Sequence, residues 1–99
     1  MKTRVNLDSQ RIEEFCRRNG ISKLSVFGSA LRDDFLPDSD VDILVEFQPN
    51  VRVGLIRLAG MQEELSVIIG RVVDLRTPNE LSPYFRDKVM ESAEVQYAA

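Results

Sequence analysis

The feature that most restricts the fold is the segment of residues 40–47, which reads Asp-Val-Asp-Ile-Leu-Val-Glu-Phe. Apolar side chains recur at every second position, the period of a β-strand with one buried face, and they are Val41, Ile43, Val45 and Phe47. The alternate positions would form the opposite face, with Asp40, Asp42, Leu44 and Glu46. The segment therefore predicts a strand that packs on the core and presents carboxylates on its other face.

Helical and strand-like patterns alternate along the rest of the chain. A helix is predicted over residues 9–19, because Asp8 or Ser9 can cap it and Gly20 suits the position just past its end. Further helices are predicted over residues 30–32, 54–69 and 83–92, and further strands over residues 21–27 and 72–76. Residues 33–39 read as a loop, and residues 94–97 as either an edge strand or a frayed end. This order predicts one α/β domain over residues 1–99, with a small sheet covered by helices.

The segment of residues 54–69 has the strongest helical pattern. Its apolar stripe indicates a face on the core, and its width leaves room for contact with a partner. The stripe consists of Leu55, Leu58, Gln62, Leu65 and Ile69, widened by Ala59, Met61 and Ile68. In the last helix, Phe85 and Val89 are expected to face inward.

Composition restricts the chemistry that the chain can perform. The 99 residues include no histidine, which excludes Ser-His-Asp catalysis and histidine metal sites. The net charge of -3 argues against a broad nucleic-acid-binding surface. The single Cys16 is predicted to be buried in the core. No signal peptide or membrane span is evident, so we expect a cytoplasmic location.

Three aspartates are candidates for a metal site. Asp40 and Asp42 lie two positions apart on a strand, so their Cα atoms would be ~7 Å apart with both side chains on one face. Asp74, in the segment of residues 72–76, could reach the same place if the two strands are neighbours. Carboxylates in this arrangement select Mg²⁺ or Mn²⁺ and can bridge two ions ~3.5–4 Å apart.

The turn at Gly28-Ser29 is a candidate phosphate site. Glycine allows a phosphate to approach the backbone, and Ser29 adds a hydroxyl and an amide. If a helix begins here, its free amides favour an anion. Arg32 could reach the same phosphates, although a surface ion pair with a nearby aspartate fits it equally well. Together with the aspartates, this turn predicts a site for a nucleoside triphosphate and divalent metal ions.

The spacing of these motifs resembles a known family. Gly28-Ser29, ten residues, and then Asp40-Val41-Asp42 is similar to the signature of the DNA polymerase β-like nucleotidyltransferases. The surrounding sequence resembles the minimal nucleotidyltransferases, or MNT proteins, over essentially the whole chain. The segments that carry this resemblance are residues 27–32, 37–47, 73–75 and 81–83.

The resemblance implies a mixed sheet flanked by helices and an ATP-dependent activity. Asp40 and Asp42 would bind two Mg²⁺ ions, Asp74 would bind the catalytic ion and accept a proton, and Gly28 and Ser29 would hold the triphosphate. Members of this family act beside a HEPN-domain toxin in a hetero-oligomer. As antitoxins, they transfer AMP from ATP to a tyrosine of that toxin.

Two other functions remain open at this point. The chain could neutralise a partner by complex formation alone, or it could modify a small molecule. The second ranks lower, because small-molecule nucleotidyltransferases usually carry a further domain that builds the acceptor site. Transfer to nucleic acid ends ranks lower still, because the chain is acidic.

Overall fold

The structure is a computed structural model that describes residues 7–28, 40–84 and 86–99. The predictions for Ser29, for Arg32, for the short helix and loop over residues 30–39 and for Phe85 therefore lie outside the described residues. The other predicted elements can be compared with the structure directly.

The first helix and strand have the predicted bounds. Helix α1 is Ser9–Asn19, and its N-terminus is capped by Asp8, whose Oδ1 accepts hydrogen bonds from the amides of Gln10 (3.1 Å) and Arg11 (3.2 Å). Gly20 ends the helix with φ of 68°, a left-handed conformation that suits glycine. Strand β1, Ile21–Phe27, follows at once.

Within the described parts of the chain, the strands form one mixed sheet in the order β3-β2-β1-β4. Strand β2 is Val41–Phe47, β3 is Val73–Arg76 and β4 is Glu94–Ala98. Strand β1 pairs antiparallel with both β2 and β4, whereas β2 and β3 are parallel. Helix α2, Leu55–Ile69, connects the two parallel strands. The predicted α/β class is confirmed, and the alternative of an edge strand for residues 94–97 is the one realised.

The core lies on one face of this sheet, beneath α1 and α2. The alternation in β2 places its apolar residues there as predicted, and the alternate positions face the other side. The buried cluster consists of Ile12, Phe15, Cys16, Ile21, Leu24, Val26, Val41, Ile43, Val45, Met61, Leu65, Val73 and Leu75. Leu44 is also buried but lies outside this cluster, beside Ser25 and Arg76 in the strand register.

Helix α2 fixes the edge strand β3 with side chains as well as with apolar packing. The Val73 amide donates to Ser66 Oγ (3.1 Å), and the Leu75 amide donates to Gln62 Oε1 (2.9 Å). An edge strand has backbone amides with no neighbouring strand to accept them, so these contacts close the β3 edge at both sides of Asp74. Of the two acceptors, Gln62 belongs to the predicted apolar stripe of the helix and Ser66 lies beside it.

The predicted stripe of α2 is wrong at its first position. Leu55 is 84% exposed, and the neighbouring Ile56 is 91% exposed. Burial on α2 begins further along, with Met61 and Leu65 as its buried residues. The helical period gives the direction of a side chain but not the point at which the sheet beneath it ends.

The segment after β3 differs in detail from its prediction. A 3-10 turn forms over Pro78–Glu80, and helix α3 is Arg86–Ser92 rather than residues 83–92. Ser82 marks the turn before the helix, as its Oγ accepts from the Tyr84 amide (3.3 Å) and its carbonyl from the Arg86 amide (2.9 Å). Val89 is half-buried, so its predicted inward orientation is only partly realised. No helix among the described residues is long and apolar enough to cross a membrane.

Closure of the β3 edge can be tested with two serines in similar helical positions. Ser66 Oγ donates to the Gln62 carbonyl (2.9 Å), and Ser92 Oγ donates to the Lys88 carbonyl (2.8 Å). Of these two serines, only Ser66 also accepts a hydrogen bond from a backbone amide of β3. We expect Ser66→Ala to lower the free energy of unfolding by about 1–2 kcal/mol, since it leaves the Val73 amide without that acceptor. Ser92→Ala should change it by less than ~0.5 kcal/mol. Urea titrations measure both, and equal losses would contradict the assignment.

Burial raises the pKa of the Cys16 thiol to about 12, because the thiolate would lose its hydration. In the unfolded chain the thiol ionises near pH ~8.5. The contribution of the thiol to stability is therefore complete below that pH and decreases as pH rises toward 12, by about 1.4 kcal/mol per pH unit at most. Between pH ~8.5 and 10, the free energy of unfolding should fall more for the wild-type protein than for Cys16→Ala. An equal fall in the two proteins, measured by urea titration at each pH, would refute this account.

Candidate functional site

Two of the predicted acidic residues meet where β2 and β3 begin. These strands are parallel, and Asp42 is the register partner of Asp74. Neighbouring strands lie ~4.8 Å apart, so the two side chains leave the same face of the sheet side by side. Both residues are half-buried. The two strands are neighbours, which is the condition under which Asp74 was predicted to reach the other acidic residues.

Gly28 lies against one of these carboxylates. It follows β1 directly, and Phe27 is the antiparallel register partner of Asp42. Its φ is 71°, in the left-handed region. A Cβ at this position would be 3.1 Å from Asp42 Cγ and would overlap Oδ2. Glycine is therefore required both for the backbone conformation and for the space that the Asp42 carboxylate occupies.

A cleft of about 310 Å³ opens beside the carboxylate pair. Its volume is at the lower end of the range for small-molecule sites, ~300–1,000 Å³. Residues from three strands and from the segment after β3 form its walls: Phe27, Asp42, Asp74, Arg76, Glu80, Leu81 and Ser82. Three of these side chains are acidic and one is basic, so the cleft favours a cation or a ligand that brings one.

Among the described residues that line the cleft, Arg76 is the basic one, and it pairs with Asp74. Its Nε lies 3.2 Å from Asp74 Oδ1, and its Nη2 donates to Asp74 Oδ2 at 3.2 Å. Nη1 is 3.9 Å from Glu80 Oε2. The guanidinium therefore lies between two carboxylates at the wall of the cleft.

The other predicted site residues are not part of this cluster in the described structure. Asp40 is exposed just before β2 and does not line the cleft, although strand alternation gives it the same face as Asp42. Ser29 and Arg32 lie outside the described residues. Over residues 7–28, 40–84 and 86–99, no three His, Cys, Asp or Glu side chains form a group that could hold a metal ion. The structure thus brings Gly28, Asp42 and Asp74 together and leaves the roles of the other three as predictions.

The sequence reasoning missed Arg76 and Glu80 as site residues. Arg76 lies two positions after Asp74 on β3, so the period of the strand was enough to place both on one face. Glu80 enters the cleft from the 3-10 turn, whose position relative to the sheet depends on tertiary packing. Its Oε1 accepts a hydrogen bond from Thr77 Oγ1 (3.3 Å), which holds it within that turn.

Comparison with known families identifies the class of this protein. The sequence model of the nucleotidyltransferase domain family matches residues 9–95, and the chain therefore belongs to that family. A similar curated protein is a candidate protein adenylyltransferase of Methanocaldococcus jannaschii, 32% identical over 89 residues, which are 90% of this chain and 94% of the relative.

Solved structures narrow the class further. One solved structure, of a candidate minimal nucleotidyltransferase, is 30% identical to this chain with a TM-score of 0.70. The matched region covers 86% of this chain and 85% of that protein. A toxin–antitoxin complex with AMP-PNP contains the same fold at 20% identity, with a TM-score of 0.75 and coverage of 94% and 75%. The fold recurs in the complex of tri-AMPylated Shewanella oneidensis HEPN toxin with MNT antitoxin, at 19% identity, a TM-score of 0.67 and coverage of 92% and 70%. The resemblance to the minimal nucleotidyltransferases is confirmed.

The donor groups at the cleft fit the divalent cation that this family implies. Asp42 and Asp74 offer carboxylate oxygens from neighbouring strands, and hard cations such as Mg²⁺ prefer oxygen ligands. Mg²⁺ is usually held by one or two carboxylates together with substrate phosphates and water, rather than by a complete protein cage. A carboxylate pair at an open cleft therefore suits a cation that arrives with a nucleotide.

A comparison of Gly28→Ala with Gly70→Ala separates the effect of backbone strain from the effect of contact with Asp42. Gly70 also has a positive φ, 78°, but nothing lies within 4 Å of the position of its added Cβ. Each alanine should lower the free energy of unfolding by about 1–2 kcal/mol through strain. Only Gly28→Ala should also reduce nucleotidyl transfer, on the order of 10²-fold, because the Asp42 carboxylate must move. Similar activities for both variants, measured with labelled ATP, would contradict the role given to this contact.

Proposed function

We propose that this protein is a magnesium-dependent antitoxin that transfers AMP from ATP to a tyrosine hydroxyl of a HEPN-domain toxin. The observation that carries the proposal is the in-register pair of Asp42 and Asp74 at the cleft, with Gly28 against Asp42. Family membership supports nucleotidyl transfer. The nucleotide and the toxin as acceptor are supported by similarity to the complexes with AMP-PNP and with AMPylated toxin. The metal is supported by the paired carboxylates, whose oxygens suit Mg²⁺.

In this proposal, Asp40, Asp42 and Asp74 hold one or two Mg²⁺ ions, with Mn²⁺ as a substitute. The cation would supply neutralisation of the charge that develops on the phosphates. Gly28 and Ser29 would hold the triphosphate, together with Arg32. The missing side chain of Gly28 leaves room for the Asp42 carboxylate, which would bind the cation that accompanies the triphosphate.

The chemical step is an in-line displacement at the α-phosphorus. The tyrosine oxygen forms a bond to this phosphorus while the bond to the bridging oxygen of the β-phosphate breaks, and pyrophosphate leaves. Asp74 takes the proton of the tyrosine hydroxyl. Most of the rate enhancement would come from positioning and charge stabilisation, because the displacement at phosphorus is direct.

The acceptor would come from the partner protein. The cleft is of modest volume, and the described residues that line it leave it open to solvent. A second macromolecule could place a tyrosine beside the α-phosphate and complete the wall of the site. The proposal therefore places catalysis in a hetero-oligomer.

Binding without catalysis is the second candidate. The first turn of α2 exposes Leu55 (84%) and Ile56 (91%), which are large apolar side chains at the surface. Such residues can contribute to a protein interface. In this alternative, complex formation alone would neutralise the toxin, and variants without transfer activity would still protect cells.

Radiolabel transfer distinguishes the two candidates. With Mg²⁺ and ATP labelled at the α-phosphate, wild-type protein should label the co-purified HEPN-domain partner, and intact mass should show added AMP. Asp42→Asn and Asp74→Asn should each reduce labelling by ~10²-fold or more, because they remove a carboxylate ligand or the base. Asp87→Asn makes the same change of charge on α3, away from the cleft, and should leave labelling intact.

The outcome in cells completes the test. Failure of both site variants to protect cells expressing the toxin supports transfer as the means of neutralisation. Undiminished labelling by the site variants would refute the catalytic proposal. Full protection without labelling would favour the binding alternative.

A further inference from the structure

The ion pair between Arg76 and Asp74 lies inside the proposed nucleotide site. Arg76 Nη2 donates to Asp74 Oδ2 at 3.2 Å, and Nε lies 3.2 Å from Oδ1, so the planar guanidinium fork faces the carboxylate, an approach that lysine cannot make. Strand β3 presents both side chains on one face, two positions apart. The guanidinium therefore competes with a cation for the oxygens of Asp74.

The charge of the cleft gives Arg76 a second role. Among the described residues that line the cleft, it is the sole basic side chain, beside the carboxylates of Asp42, Asp74 and Glu80. A nucleoside triphosphate would add further negative charge to this surface. Glu80 lies 3.9 Å from Arg76 Nη1, so the guanidinium has a neighbour that would keep it at the cleft after it leaves Asp74.

We propose that Arg76 alternates between two anions: it neutralises Asp74 in the free protein and contacts the phosphates of the bound nucleotide. This inference rests on the proposed function. In the free state the guanidinium lowers the repulsion between Asp74 and its neighbour Asp42. When Asp74 binds Mg²⁺ that arrives with ATP, the guanidinium is released and turns to the phosphates.

The pair is suited to such an exchange because it is only partly shielded from water. The side chains of Arg76 and Asp74 are 46% and 37% exposed. Ion pairs at this level of exposure contribute little, so competition with Mg²⁺ should change metal affinity by only ~2–5-fold. Contact with a more strongly charged triphosphate should have a larger effect, about tenfold.

Two binding measurements with opposite expected signs test the inference. For Arg76→Gln, Mn²⁺ alone should bind ~2–5-fold more tightly, because the competing cation is gone. AMP-PNP with Mg²⁺ should bind about tenfold more weakly, because a phosphate contact is lost. Electron paramagnetic resonance reports the first affinity and isothermal titration calorimetry the second. Arg76→Lys, which retains the charge without the fork, should recover part of the nucleotide affinity.

Arg57→Gln is the matched control, since Arg57 is exposed on α2 and does not line the cleft. It makes the same change of charge and should alter neither affinity. Unchanged affinities for Arg76→Gln, or weakening of both, would overturn the inference while leaving the proposed function intact. Failure of wild-type protein to bind AMP-PNP with Mg²⁺ would instead refute the proposed function, and this inference with it.

Discussion

The candidate functional site depends on the parallel pairing of β2 and β3. This pairing brings Asp42 beside Asp74, although the two residues are far apart in the chain. Backbone bonds to β2 hold one side of β3, and Ser66 and Gln62 of α2 hold the other. A four-residue edge strand would otherwise have a weakly fixed position. The helix that connects the two strands thus also determines where the second carboxylate lies.

The electrostatics of the cleft follow from this arrangement. Two carboxylates side by side repel each other, and a nearby cation reduces this repulsion. Arg76 provides that cation from the same strand as Asp74. Gly28 adds a steric condition, because its missing side chain leaves room for the Asp42 carboxylate. The site therefore depends both on the pairing of Arg76 with Asp74 and on the space that Gly28 leaves for the Asp42 carboxylate.

Local signals in the sequence predicted the local parts of the fold. The bounds of α1 follow from Asp8 and Gly20, since caps act within one helical turn. The face of Asp42 follows from strand alternation. The strand order β3-β2-β1-β4, by contrast, depends on contacts between distant segments, which no periodicity encodes. The exposure of Leu55 and the entry of Glu80 into the cleft have the same origin, because each depends on where one element ends relative to another.

Closure of the β3 edge also affects how copies of this chain can associate. Edge strands with unpaired amides are templates for strand addition by another molecule, a common route to aggregation. At β3, Ser66 and Gln62 occupy the positions that an incoming strand would need. The opposite edge of the sheet is β4, a short strand near the C-terminus with Val95 47% exposed. Extension of the sheet by a second polypeptide would therefore be directed to β4, on the side of the sheet away from the acidic pair.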